Sequence, residues 1–196
     1  MQLLRVGLPS DISTDIGPVI APSAITALSA HIKKLHPYAK LWYQLPLPDE
    51  CAKGYFFPPT LLEIPKLSLL EQEVFGPILH VVRYATGDLA NVVNAINATG
   101  YGLTLGVHSR IKATMQYVQE HAQVGNIYIN RNMIGAVVGV QPFGGMRLSG
   151  TGPKAGGPNY LHRFVTEQTV TNNITAVGGN PWLLSECAKP YENINS

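Results

Sequence analysis

From Pro22 to Leu35 the chain reads PSAITALSAHIKKL, with Ile25, Leu28, Ile32 and Leu35 recurring at three- and four-residue steps. That spacing puts them on one helix face, and Pro22 suits the first turn, where no backbone N–H is needed. A different rhythm follows. ILHVVRY (78–84), LTLGVHS (103–109) and VGNIYIN (124–130) are short continuous apolar runs, the pattern of strands covered on both faces. Two helical patterns separate them. In DLANVVNAINATG (88–100), Leu89, Val92, Val93 and Ile96 share a face and Gly100 supplies the stop; a second helix is expected around Met115 and Val118. Strand, helix, strand, helix, strand predicts an α/β fold with one parallel sheet and right-handed crossovers. Ligands of such sheets bind beyond the carboxyl ends of the strands, which points to Asn130, Arg131 and the glycine-rich loop after them.

On either side of this block the pattern is weaker. The Pro-rich LPLPDE leads to GYFFPPTLLEI (54–64), read as two short extended segments around Pro58 and Pro59. Residues 165–177 form a β-rich run with alternating polar positions and no helix after it, suited to an edge that joins another chain or domain. The last residues, ECAKPYENINS, read as a mobile tail. There is no internal repeat or low-complexity tract.

Charge removes function classes rather than adding them. Fourteen Lys and Arg against 12 Asp and Glu leave a net +2 with no basic run, so there is no electrostatic footprint for nucleic acid or anionic membrane. No apolar run approaches ~20 residues and the amino terminus lacks the features of a signal peptide; the expected location is the cytoplasm. The two cysteines, Cys51 and Cys187, make no disulfide framework, and no metal site is expected, since the six histidines include no pair four residues apart.

Four local features carry candidate chemistry. Residues 150–155, GTGPKA, formally match a dinucleotide-binding glycine fingerprint, but neither the strand before nor the helix after it is expected, and a proline lies inside. Cys51 lies beside acidic residues that raise a thiol pKa, and reads as an incidental loop cysteine. His80, on the run ILHVVRY, reads as a core or interface residue. In EQEVFGP (71–77), an acid two residues before an aromatic and a Gly-Pro turn can hold a ribose hydroxyl pair and press a flat ring. A helix-end acid and a core Phe before a turn fit the same residues.

TDIGPVI (14–20), GYFFPPTLLEI (54–64), EVFGP (73–77), ATGYGLTLGVHS (98–109), GNIYINR (125–131) and QPFGG (141–145) stand in the order seen in the aldehyde dehydrogenase superfamily, which the chain resembles over nearly its whole length. RNMIGAVVGVQPFGG, SGTGPKAGGPNY and TNNITAVGGN are similar to the L-glutamate-γ-semialdehyde (1-pyrroline-5-carboxylate) dehydrogenase branch, above all to the dehydrogenase domain of bacterial bifunctional proline-utilisation proteins. The resemblance implies an oxidoreductase of proline catabolism that uses NAD. It assigns Glu73 to the nicotinamide ribose and Phe75 to the flank of the nicotinamide. It assigns Gly135 and Ala136 to the substrate's α-carboxylate, bound through backbone N–H groups, and Phe143 to the aliphatic part of the aldehyde. Small consecutive residues let a backbone approach a carboxylate and point amides at it.

In that family a cysteine thiolate attacks the aldehyde, hydride passes to NAD, and a water activated by a glutamate releases the acid. The nucleophile's motif, Phe-x-x-x-Gly-Gln-x-Cys, is expected upstream of a helix ending in LLRVG, inside which Met1 falls. Neither Cys51 nor Cys187 matches it, and the base's Leu-Glu-Leu-Gly-Gly motif is not among these residues. The chain is therefore expected to be a part of the dehydrogenase, inactive alone, with no catalytic residue of its own. Residues 1–164 correspond to the later part of the catalytic domain, 165–180 to a β segment for oligomerisation and 181–196 to the tail. The expected partners are glutamate semialdehyde, an upstream polypeptide carrying the Rossmann half, and a second copy through the β segment. The alternative is a non-catalytic remnant or assembly module.

Overall fold

The computed structural model describes residues 1–173. Helix α1 (Pro22–Leu35) starts on its proline, as the pattern predicts. The next element is a strand that the pattern did not reveal, β1 (Lys40–Gln44), mostly exposed. It pairs antiparallel with β2 (Thr60–Glu63), which pairs in parallel with β3 (Ile78–Val81). Leu35 of α1 packs with Leu62 and Ile64 in one core cluster that also takes in Ile32 and Ile78. Beneath it Thr60, fully buried, donates its hydroxyl to the Pro58 carbonyl (2.7 Å) and accepts from Gln44 Nε2 (3.0 Å), so its polar atom is satisfied. A second cluster joins Val6, Leu45, Cys51 and Phe56. Met1–Arg5 form a turn rather than the expected end of a helix.

The second half is built from α2 (Leu89–Ala98), β4 (Tyr101–Gly102), β5 (Thr104–Val107), α3 (Lys112–His121), β6 (Asn126–Ile129) and β7 (Met146–Arg147). Gly100, at φ 81°, stops α2 as expected. Strands β5 and β6 are parallel neighbours, Thr104 opposite Asn126 through Val107 opposite Ile129, with α3 as the crossover. The single parallel sheet expected from three apolar runs is thus divided. The first run joins β2, held there by α1, while the other two pair with each other. Periodicity marks a strand but leaves its neighbour to side-chain packing. The short pair β4–β7 returns the glycine-rich loop to the end of α2, with the Leu148 N–H on the Gly100 carbonyl (3.1 Å).

Residues 165–173 contain no strand; the remainder of the expected β segment, 174–180, and the tail, 181–196, lie outside the described residues. No helix among the described residues is long and apolar enough to cross a membrane.

Candidate functional site

Glu73 and Phe75 sit on an irregular stretch before β3. Three contacts with α1 and β2 fix its ends. Lys34 Nζ reaches Glu71 Oε2 at 2.6 Å. The Pro77 carbonyl accepts from the Thr60 N–H at 2.9 Å. Gly76 lies so close to buried Leu28 that a Cβ there would meet Leu28 Cδ2 at 2.3 Å. Behind the stretch, His31 of α1 and His80 of β3 meet Nε2 to Nε2 at 2.9 Å with rings edge to face. Burial pushes both imidazole pKa values down; the Lys34 charge adds to this at His31, and His31 adds to it at His80. The core-or-interface expectation for His80 resolves to a half-buried helix–strand contact. Within this frame Glu73 is exposed, and no described residue hydrogen-bonds or pairs with its carboxylate. Phe75 is 81% exposed, so the expectation of a core Phe does not hold. Both are available to a ligand.

The loop after β6 opens with Asn130, whose φ of 55° turns the chain while its side chain clamps the end of β5. Its Oδ1 accepts from the Ser109 N–H (2.9 Å) and its Nδ2 donates to the Ser109 carbonyl (3.0 Å). Gly135 then takes φ 72°, and Ala136 is half-buried. Among the described residues nothing accepts a hydrogen bond from the N–H of Gly135 or Ala136. From Val137 the amides are claimed again. Val137 N–H donates to Gln141 Oε1 (3.1 Å), and Val140 and Gln141 donate to the Val137 carbonyl. Two adjacent unclaimed amides beside a left-handed glycine can receive an anion.

Phe143, half-buried, is held on both sides. It exchanges two backbone hydrogen bonds with Ala155 (3.0 and 2.9 Å). Asn126, the first residue of β6, donates Nδ2 to the Pro142 carbonyl (3.0 Å) and accepts from the Gly144 N–H (3.3 Å). Lys154 Nζ donates to Asn126 Oδ1 and the Gly144 carbonyl, each at 2.9 Å, and to the Gly125 carbonyl. Burial lowers the pKa of this ammonium. Glycines of the loop also serve backbone packing rather than ligand approach: a Cβ on Gly145 would lie 2.4 Å from the Ser149 carbonyl oxygen, and one on Gly150 2.3 Å from the Gly145 carbonyl oxygen.

The structure joins Phe143 to β6 through this network, whereas no hydrogen bond links the Glu73–Phe75 stretch to the Gly135–Phe143 loop among the described residues. Residues 150–155 run through bends to the Ala155 bridge with Phe143, with no α-helix following among the described residues, so GTGPKA has no dinucleotide-binding geometry. Cys51 is a correction: it is a core residue, 3% exposed, on a short 3-10 helix. Burial first, and the Glu50 charge second, push its thiol pKa up, the reverse of what a nucleophile needs. Cys187 lies outside the described residues. Among the described residues no three metal-ligating side chains gather. The sequence reading placed Asn130 at the ligand end of the sheet but missed Asn126 and Lys154. The available signal was Lys154 itself, the one lysine between Lys112 and Lys189, in a nearly chargeless glycine-rich stretch.

Residues 1–170 match the model of the aldehyde dehydrogenase family. The bifunctional protein PutA of Rhizobium meliloti is 51% identical over 90% of this chain, which spans 14% of that protein. A crystal structure of proline utilization A from Bradyrhizobium japonicum superposes with a TM-score of 0.81 at 57% identity, covering 88% of this chain and 17% of the other. A 1-pyrroline-5-carboxylate dehydrogenase from Thermus, with bound NAD, superposes with a TM-score of 0.74 at 37% identity over 83% of this chain and 31% of its own. The chain thus spans less than a third of each protein it matches here.

Proposed function

This chain belongs to the aldehyde dehydrogenase family, and from that premise we propose that it supplies the substrate-anchor loop and the nicotinamide-ribose contacts of an NAD-dependent L-glutamate-γ-semialdehyde (1-pyrroline-5-carboxylate) dehydrogenase of proline catabolism. The observation that carries this reading is the pair of unclaimed amides at Gly135 and Ala136, eight and seven positions before a backbone-pinned Phe143. The two N–H groups receive the α-carboxylate of the semialdehyde, and Phe143 covers its methylene groups. Together they orient the aldehyde carbon and keep water from that side of it.

Glu73 and Phe75 fit the cofactor side. An exposed carboxylate with no described partner can accept from both ribose hydroxyls, and an exposed phenyl ring can lie against a flat nicotinamide. NAD supplies the hydride acceptor when bound. The relative from Thermus has it bound. The described residues offer no activated nucleophile, since the Cys51 thiol is buried with a raised pKa. The thiolate and the base that activates water come, in this proposal, from a separate polypeptide stretch that includes the Rossmann half. Loss of a nucleophile removes orders of magnitude of rate. We assign 1–164 to the catalytic part, 165–180 to oligomerisation and 181–196 to a tail.

The test is NADH formation from glutamate semialdehyde. The chain alone is expected to be silent, and the chain mixed with a separately made upstream half is expected to turn over. Phe143→Ala should then raise KM for the semialdehyde about tenfold, equivalent to ~1.4 kcal/mol of lost binding. Turnover by the chain alone, or an unaltered KM, would refute the assignment.

A further inference from the structure

The backbone neighbours of Phe143 are tied by two side chains between them. The Pro142 carbonyl and the Gly144 N–H are bonded by Asn126, and the Gly144 carbonyl by Lys154. Lys154 also bonds Asn126 Oδ1 and the Gly125 carbonyl, so its three N–H donors are all used on one patch of β6 and the loop. The neighbouring residue, Ala155, completes the enclosure by exchanging both backbone hydrogen bonds with Phe143. Lys154 therefore closes a ring that runs from the first residues of β6, through the loop, to its own backbone. No ion pair involving Lys154 is present among the described residues. Its charge is spent entirely on carbonyl oxygens, where hydrogen bonds from a charged donor are stronger than neutral ones.

We propose that Lys154, acting with Asn126, is a positioning residue for Phe143: it pins the backbone on both sides of the ring to β6 and so sets the wall against which the aliphatic part of the aldehyde rests. This rests on the substrate assignment above. A ring whose flanking peptides can shift by an ångström loses complementarity to a small substrate, while the cofactor contacts at Glu73 and Phe75, on a different stretch, are left as they were.

The test has two readouts. Amide hydrogen exchange is measured on the purified chain as wild type, Lys154→Met, Lys154→Arg and Asn126→Leu. Lys154→Met and Asn126→Leu are expected to speed exchange at Phe143, Gly144 and Ala155 by about tenfold or more, with Ile64 and Asn130 unchanged, and Lys154→Arg to restore much of the protection. In the mixed-chain assay, Lys154→Met should raise KM for the semialdehyde about tenfold, with kcat and KM for NAD within about twofold. Unchanged exchange around Phe143 overturns the proposal. So does exchange that rises equally at Ile64 and Asn130, which would mean general destabilisation. Silence of the wild-type mixture would instead count against the substrate assignment, and the exchange pattern would still decide the role of Lys154.

Discussion

Two phenylalanines with the same side chain have opposite settings here. Phe75 stands 81% exposed on an irregular stretch, while Phe143 is half-buried in a hydrogen-bonded frame. What holds the exposed one in place is the residue after it. Gly76 passes against the fully buried Leu28, and a methyl group there would overlap the Leu28 side chain. Gly76→Ala should therefore cost about 1–3 kcal/mol by overpacking, read as a lower denaturation midpoint with an unchanged m-value. A neutral result would show that Leu28 repacks freely. The residue types at Glu73, Phe75, Gly135, Ala136 and Phe143 were legible from motif order. The reasons were legible only in part: glycine-richness read as ligand approach turns out, at Gly145, to be close packing on the Ser149 backbone.

At the scale of elements, the contact that carries most consequence is α1 on β3. His31 and His80 share one hydrogen bond, which needs one ring to donate and the other to accept. Both pKa values are depressed in the folded chain, so the contact contributes stability that is fully present above the unfolded imidazole value of about 6.5 and is lost as pH falls through the folded values. Once both rings are protonated they are two donors with like charge. The Lys34 ammonium lies near, its own charge paired with Glu71. Thermal unfolding should accordingly show a falling midpoint below about pH 6, and His80→Gln should flatten that fall. A wild-type midpoint level from pH 7.5 to 5 would remove the contact from the account of how the Glu73–Phe75 stretch is held. Helix α1 was legible from its four apolar positions and its proline. Strand β1, with four of five residues exposed, had no buried face to give it a pattern.

For the whole molecule, the apolar residues that follow the site bear on assembly. Leu161, Phe164, Val165 and Val170 are each more than two-thirds exposed. If residues 165–180 act in assembly, removing everything after Phe164 should convert a dimer into a monomer on size-exclusion with light scattering. A truncated chain that still dimerises would place assembly elsewhere. The sequence by itself determined the α/β alternation, the helix faces, the α2 stop at Gly100 and the family, because periodicity and motif order are local properties of the chain. Tertiary structure alone decided that β3 leaves β5 and β6 to join β2, that Cys51 is core, and that Asn126 and Lys154 brace Phe143. Those facts depend on which distant groups meet, and a lysine's three donors find carbonyls 10 to 29 residues away, a pairing set by packing and not by any spacing along the chain.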